Sequence, residues 1–162
     1  MNRWIAIGVG SALLCSACTT TTSVTKPAAG ASLEQRNTAV VLAFTDMVFN
    51  QHDVKAAFDK YVGPTYTQHN PVVPDGIEGG IKGLTYLTHT KYPEMIQQVK
   101  RTIAEGDLVA IHTQQLRTPE EKAAGRGLAL MDIFRVENGR IVEHWDVVEE
   151  VPEKSNNNNT MF

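Results

Sequence analysis

The feature that most constrains the fold of this chain is the Asn138-Gly139 pair. It lies between two runs of alternating apolar and polar residues in the segment 128–149, LALMDIFRVENGRIVEHWDVVE. Asn-Gly is the strongest short-range signal of a two-residue β-hairpin, because both turn residues must accept a positive φ. The segment therefore predicts two antiparallel strands joined at this turn.

Regular pairing outward from the turn sets which side chains share a face. It places Asp132 directly opposite Trp145, on a face that also carries Phe134 and Glu149. The other face would then carry Met131, Ile133, Arg135, Val142, His144 and Asp146. A carboxylate in a mostly apolar field is costly unless it has a partner or a task, so Asp132 is the leading candidate for chemistry.

The N-terminal segment 1–18 has the layout of a bacterial export signal. Arg3 precedes an apolar run, and Ser16-Ala17-Cys18 resembles a lipoprotein cleavage box in which the cysteine carries the lipid. The run is too short to span a membrane stably. We expect export to the periplasm and a lipid anchor at Cys18, in the outer membrane, with 19–31 as a flexible linker. The alternative is an ordinary cleaved signal with an incidental cysteine.

Charge and cysteine content narrow the function classes. The chain has 15 basic and 18 acidic residues and a net charge of -3, which argues against nucleic acid as a partner. Both cysteines, Cys15 and Cys18, belong to the signal segment. The domain predicted at 32–153 therefore has no disulfide, thiol nucleophile or cysteine metal site. Carboxylates and imidazoles remain for acid–base chemistry.

Helical patterns precede the strands. Ser32 begins a capping box with Gln35, and apolar residues then recur at helical spacing at Val40, Val41, Phe44, Met47 and Val48. Asp53 can cap a second, shorter helix, and the segment 66–71 before Pro71 should be extended. A third helix is predicted to bury Ile81, Leu84 and Leu87. The chain therefore begins with three helices.

From Met95 onward the apolar period changes to two. A turn at Glu105-Gly106 would place His112 on one face with Met95, Val99, Ile103, Leu108 and Ala110, whereas a bulged turn would reverse this. With the Asn-Gly hairpin this gives a four-stranded antiparallel meander. The predicted class is α+β, with three N-terminal helices packed on a curved antiparallel sheet and a loosely ordered tail at 154–162.

Several motifs together resemble the SnoaL-like polyketide cyclase family of the nuclear transport factor 2-like superfamily. They are YTQHNP at 66–71, PDGIEG at 74–79, EGDLVAIH at 105–112 and DIFRVENGRIVEHWDV at 132–147. The resemblance implies a cone-shaped, cystatin-like fold, one deep pocket and often a homodimer packed through the sheet. It also implies a cofactor-free aldol closure, with an aspartate a few residues beyond the tryptophan. Glu149 stands near that place in this chain.

Candidate roles follow from the pattern and the resemblance together. Asp132 is the predicted base, Glu149 the second candidate, and His112 a group that polarises the substrate. Substrate contacts are expected from His69, Asn70, Tyr66, Trp145 and Phe134. Each has a structural alternative, such as a capping acid, a core histidine or a turn asparagine. A metal site built from His69, His112, His144 and Asp132 is less favoured, because no ligand pair has a known metal spacing.

The predicted function is acid–base catalysis on a small carbonyl-bearing or aromatic molecule in an apolar pocket, without a cofactor. Aldol cyclisation or isomerisation is the expected reaction type. The alternative is a periplasmic lipoprotein that binds a small molecule without turnover. A third possibility, an interaction domain that uses the sheet face, predicts no deep cavity.

Overall fold

The computed structural model describes residues 30–162. The predicted export signal, Cys18 and all but the last two residues of the linker 19–31 lie outside the described residues. Four α-helices and a π-helical turn are present: α1 Leu33–Phe49, α2 Val54–Tyr61, α3 Gly76–Thr85, the π-turn Tyr86–Lys91, and α4 Pro119–Ala124. No helix in this part of the chain is both long and apolar enough to cross a bilayer.

The predicted helix starts are confirmed at the level of single hydrogen bonds. Ser32 and Gln35 form both halves of the capping box of α1. The Asp53 side chain accepts from the backbone N–H of Ala56 and so caps α2. Helix α4 was not predicted, because the segment 118–127 has too few apolar residues for a helical period to be visible.

Five strands form one mixed sheet in the order β1-β5-β4-β3-β2. Their bounds are β1 Val62–Gln68, β2 Ile96–Glu105, β3 Leu108–Leu116, β4 Leu128–Glu137 and β5 Arg140–Glu150. The predicted meander is confirmed for β2 to β5. The segment expected to be a short extended piece contributes to β1, which pairs parallel with β5 and makes the sheet five-stranded.

A β-bulge in β5 changes the register predicted for the hairpin. Val136 pairs with Ile141 as expected, but Arg135 pairs with Glu143, so that Val142 is the extra residue. Every pair beyond it moves by one position. Asp132 consequently faces Asp146 and Trp145 faces Ile133, and the predicted pairing of Asp132 with Trp145 is wrong.

A second bulge lies at Lys100 in β2. Arg101 pairs with His112, whereas Val99 pairs with Thr113. The turn itself has two residues, Gly106 and Asp107, between Glu105 and Leu108. His112 therefore shares a face with Ile103, Leu108 and Ala110 as predicted, but the bulge moves Val99 to the other face of the sheet.

The first three helices cover one face of the sheet, here called the inner face. Its core contains edge-to-face aromatic contacts, with ring centroids 5.4 Å apart for Phe44 and Phe58, and 6.1 Å apart for Phe44 and Phe134. Gly80 allows α3 to approach closely, because a Cβ there would lie 2.8 Å from the Phe58 ring. These contacts fill part of the inner face, and a hollow lined in part by Phe44 and Phe134 remains beside them.

The opposite, outer face of the sheet carries apolar side chains without a helical cover. Ile103 is 66% exposed and Val147 is 69% exposed. The tail 154–162 has no regular secondary structure, yet its end returns to this face. The Phe162 ring stacks on the His112 ring with centroids 5.7 Å apart.

Candidate functional site

A cavity of about 280 Å³ lies between the inner face and the α1–α3 side of the fold. Its apolar wall includes Phe44, Leu84, Leu87, Leu130, Phe134 and Val148. Polar residues from β1, β4 and β5 and from the loop after β1 line the cavity as well: Tyr66, Gln68, Asn70, Asp132, His144 and Asp146. The π-turn and the end of β3, each with the residue that follows it, add Lys91, Tyr92, Gln115 and Arg117. An apolar pocket with a few convergent polar groups is the usual form of a small-molecule site.

A larger groove of about 570 Å³ runs between α1 and β2. Its lining has no histidine, and its acid, Asp46, already accepts hydrogen bonds from Asn50 and Gln51. The smaller cavity holds the convergent ionisable groups, so it is the stronger candidate for chemistry.

Asp132 lies on the inner face of β4 and is 5% exposed. Burial raises the pKa of this carboxyl group above its usual range, against the opposing effect of the hydrogen bond to His144. Its Oδ2 accepts from the Thr113 hydroxyl at 3.4 Å. A carboxyl group held in this way is a stronger base once ionised than one exposed to water.

The Thr113 hydroxyl belongs to a directed chain of buried hydrogen bonds. Gln115 donates to Gln97 at 3.1 Å, and Gln97 donates to the Thr113 oxygen at 3.1 Å. Thr113 has accepted one bond and can therefore donate its own proton to Asp132. The chain fixes one carboxyl oxygen of Asp132 and leaves the other, Oδ1, to His144.

His144 contacts Asp132 from the neighbouring strand. Its Nε2 lies 3.3 Å from Asp132 Oδ1, and its Nδ1 lies 3.0 Å from Gln68 Oε1. The Phe134 ring packs against the imidazole with centroids 4.6 Å apart. Asp132 and His144 thus form a buried acid–imidazole pair beside an aromatic wall.

Asp146 is the second acid on this face and is held differently. The side-chain nitrogen of Asn70 donates to its two carboxylate oxygens at 2.9 and 2.7 Å. The Asn70 amide is itself oriented, since its oxygen accepts from the backbone N–H of Val72 at 2.9 Å. The two acids therefore have distinct partners, imidazole for Asp132 and amide for Asp146.

Tyr66 places a hydroxyl group at the same wall. Burial, reinforced by the charges of Asp146 and Asp132, raises the pKa of this phenol, so it stays protonated at neutral pH. Its oxygen accepts from Gln68 Nε2 at 3.0 Å. The phenolic proton is therefore free to point into the cavity.

The ligand atoms of Asp132, His144 and Asp146 lie within 4.8 Å of one another, a spacing that a metal ion could bridge. Each of the three side chains also has hydrogen-bond partners within the protein. His144 directs one nitrogen at Asp132 and the other at Gln68, and Asn70 donates to the Asp146 oxygens. The set differs from the predicted metal alternative, because His69 and His112 lie on the outer face.

Four of the predicted site residues line the cavity: Asp132, Asn70, Tyr66 and Phe134. Asp132, the leading candidate, lies at the wall of this cavity. The other four, His112, Glu149, His69 and Trp145, lie on the outer face and do not line this cavity. For Trp145 and Glu149 the predicted register is wrong, because the β5 bulge turns their side chains away from the face of Asp132.

The outer-face residues have partners of their own. His112 is stacked under Phe162, and burial and the Arg101 and Lys100 cations lower its pKa. His69 stacks on Trp145 at 4.8 Å, with the rings 5° from parallel, and its Nε2 contacts Glu143 at 2.9 Å.

The regular register predicted that Glu149 shares the face of Asp132, and this is wrong. It pairs with Ala129 on the outer side and is exposed. The second candidate base therefore lies in solvent, on the far side of the sheet from the cavity.

The cavity residues that the sequence analysis did not place beside Asp132 are His144, Asp146 and Gln68. The sequence offered one signal, because Ile141 and Val142 are adjacent apolar residues. In the structure both are buried. Two successive buried residues break strict alternation and are typical of a bulge. With that bulge, the His144 and Asp146 side chains turn to the face of Asp132.

The fold is a small α+β domain in which helices cover one face of a mixed sheet and leave this inner-face cavity beside it. The chain belongs to the SnoaL-like domain family, whose model matches residues 41–144. The comparison with curated proteins gave no match.

Three solved structures show the same fold. TsrD from Streptomyces laurentii is 24% identical with a TM-score of 0.58, over 73% of this chain and 92% of that one. A candidate polyketide cyclase from Acidithiobacillus ferrooxidans is 20% identical with a TM-score of 0.60, over 74% and 92%. A candidate SnoaL-like polyketide cyclase from Jannaschia sp. CCS1 is 17% identical with a TM-score of 0.60, over 76% and 92%. The predicted α+β fold, with helices packed on an antiparallel meander, is confirmed.

Proposed function

We propose that this protein transfers a proton at the carbon next to a carbonyl group of a small apolar or aromatic molecule. Aldol cyclisation and isomerisation both begin with this step. The observation that carries the proposal is the buried Asp132–His144 pair at the wall of an apolar cavity. The names of the solved neighbours, which include candidate polyketide cyclases, support the same reaction class.

Three side chains at the cavity wall have a role in this step. Asp132, as the carboxylate, takes the proton, so that a C–H bond is broken and an O–H bond is formed. The electron pair moves onto the carbonyl oxygen, where the Tyr66 hydroxyl donates a hydrogen bond to the enolate. His144 can accept this proton from Asp132 and can give it back to Asp132. No cofactor is needed for these steps.

Hydrogen exchange in D₂O tests the proposal without knowledge of the natural substrate. Aryl ketones and 1,3-diketones are incubated with the protein, and deuterium next to the carbonyl is followed by NMR. We expect exchange with the wild type and a loss of roughly 10²–10⁴-fold in Asp132→Asn, with affinity changed only a few-fold. Equal loss of binding and exchange would assign Asp132 to binding instead.

The alternative function is binding without turnover. The export-type sequence at 1–18 favours it, because polyketide synthesis is normally cytoplasmic. A protein purified from its host would then carry an apolar molecule, identifiable by mass spectrometry, and would exchange no hydrogen in any compound that it binds. Turnover of the co-purified molecule would exclude this alternative.

We further propose that the protein is exported and lipidated at Cys18, which would tether the domain to the outer membrane on the periplasmic side. The small residues before the cysteine support lipidation. Membrane fractionation of wild-type and Cys18→Ala protein tests this. Release of the variant into the soluble fraction is expected, and an unchanged distribution would contradict the anchor.

A homodimer packed through the outer face is the expected assembly. Exposed apolar residues there support it, namely Ile103, Leu108, Ile133 and Val147. Light scattering after gel filtration should give twice the chain mass for the wild type and a smaller mass for Val147→Lys. A monomeric wild type would refute the dimer.

A further inference from the structure

Both ring nitrogens of His144 face oxygen atoms. Nδ1 lies 3.0 Å from Gln68 Oε1, and Nε2 lies 3.3 Å from Asp132 Oδ1. A neutral imidazole has one N–H and one lone pair, so it cannot donate to both oxygens. The orientation of the Gln68 amide therefore decides which nitrogen holds the ring proton.

A backbone donor fixes that amide. The N–H of Asn70 donates to Gln68 Oε1 at 2.8 Å, while Gln68 Nε2 donates to the Tyr66 oxygen at 3.0 Å. Turning the amide over would set its NH₂ group against the Asn70 N–H, so that two donors would face each other. The carbonyl oxygen of Gln68 must therefore face His144, and it can only accept.

Gln68 is itself held by its strand. It pairs with His144 across the parallel β1–β5 contact, and its backbone N–H donates to Asp75 Oδ1 at 2.8 Å. The pairing of the two strands therefore holds the Gln68 amide next to the His144 imidazole.

We propose that Gln68 is a positioning residue that keeps a proton on Nδ1 of His144 and so leaves Nε2 to share a second proton with Asp132. When that proton is on Asp132 Oδ1, the acid and the ring are both neutral. When it moves to Nε2, the pair becomes a carboxylate and an imidazolium, with no atom gained or lost. The catalytic consequence rests on the proposed function, whereas the tautomer does not.

The opposite tautomer would give a different site. With its proton on Nε2, a neutral His144 would donate permanently to an Asp132 carboxylate and leave Nδ1 without a use. Asp132 could then pass no proton to the ring. The position of one hydrogen thus separates a proton relay from a fixed ion–dipole contact.

Long-range ¹H–¹⁵N correlation on histidine-labelled protein measures this position directly. It distinguishes protonated from unprotonated ring nitrogens, and a His144→Gln spectrum assigns the signal. In the wild type we expect a protonated Nδ1. In Gln68→Leu the proton should move to Nε2, whereas Gln68→Glu, which still offers an acceptor, should keep it on Nδ1.

Gln114→Leu is the matched control. Gln114 is also a buried glutamine of the sheet, but it donates to the Gly125 carbonyl at 2.8 Å, away from His144. Its substitution should leave the His144 signals unchanged. In the exchange assay Gln68→Leu should lose about 10–100-fold and Gln68→Glu should recover part of that loss.

An unprotonated Nδ1 in the wild type would overturn the inference, and this reading needs no variant to fold. So would a folded Gln68→Leu protein, checked by circular dichroism, whose His144 tautomer is unchanged. If the tautomers are as expected but no carbonyl compound exchanges hydrogen, the assignment of Gln68 stands and the proposed function fails.

Discussion

The two faces of the β4–β5 hairpin carry the same kinds of side chain under opposite conditions. On the outer face, His69 and Arg135 donate to Glu143 and hold the pKa of that carboxyl group below its usual range. On the inner face, burial raises the pKa of Asp132 even though His144 also contacts it. The same pairing of acid and imidazole is thus a surface hydrogen bond on one side and a candidate proton relay on the other.

The difference lies in the access of water. Helices α1 to α3 cover the inner face, so a charge there loses its hydration and is stabilised only by the few groups that contact it. The outer face is open, and water supports the charges of its acids. The direction in which the pKa of a strand carboxyl group shifts therefore differs between Asp132 on the inner face and Glu143 on the outer face.

The largest difference is expected between the removal of the inner-face acid Asp132 and the removal of the outer-face acid Glu149. Asp132→Asn should lower hydrogen exchange by roughly 10²–10⁴-fold, because it removes the proposed base. Glu149→Gln, on the exposed outer side, should leave the exchange rate unchanged. Rates measured by NMR in D₂O decide between them, and similar losses in both variants would break the distinction between the faces.

Packing differs between adjacent residues in the same way. Phe134 is 4% exposed on the inner face, whereas Ile133 is 36% exposed on the outer face. Phe134→Ala should cost about 3–5 kcal/mol of unfolding free energy and Ile133→Ala less than about 1 kcal/mol. Urea denaturation measures both. A cost for Ile133→Ala that grows with protein concentration would indicate a second copy on the outer face.

The pH dependence of stability should reveal Asp132. Its folded pKa is raised above the ordinary value of 3.8, so the folded protein binds this proton more tightly than the unfolded chain. Its contribution to stability is full below the unfolded pKa and is lost as the pH rises through the folded pKa. In urea midpoints compared across pH, Asp132→Asn should lack this loss. Parallel curves would contradict the buried acid.

Glu143 should show a weaker dependence of the opposite sign. Its pKa is lowered from the ordinary value of 4.5, first by the hydrogen bond from His69. Its stabilising effect is present above that value and is lost as the pH falls through the folded pKa. Glu143→Gln should be slightly less stable than the wild type near neutral pH, and the two should converge in acid. A difference that persists in acid would point to packing.

Local rules were sufficient for much of the fold. The capping box of α1, the Asp53 cap of α2 and the Asn138-Gly139 turn each depend on neighbouring residues, and the structure has all three. The change of period at Met95 likewise marks the start of the strands, since β2 begins at Ile96. Regular alternation was not sufficient for the site. It predicted Trp145 and Glu149 beside Asp132, where the structure has His144 and Asp146.

Regular alternation was not sufficient because β5 lies between two strands, β1 and β4. Val142 is extra relative to β4, and the parallel pairing with β1 is also irregular there, changing from Val62 with Ile141 to Thr67 with Glu143. The β1 contact joins residues that are far apart in the chain, so no local pattern contains it.

The sequence by itself determined the first three helices, the four-stranded antiparallel meander that follows them and the place of Asp132 on an apolar strand, but not α4 or the pairing of β1. Only the tertiary structure decided which imidazole meets that acid, because one unpaired residue reverses the direction of every side chain that follows it.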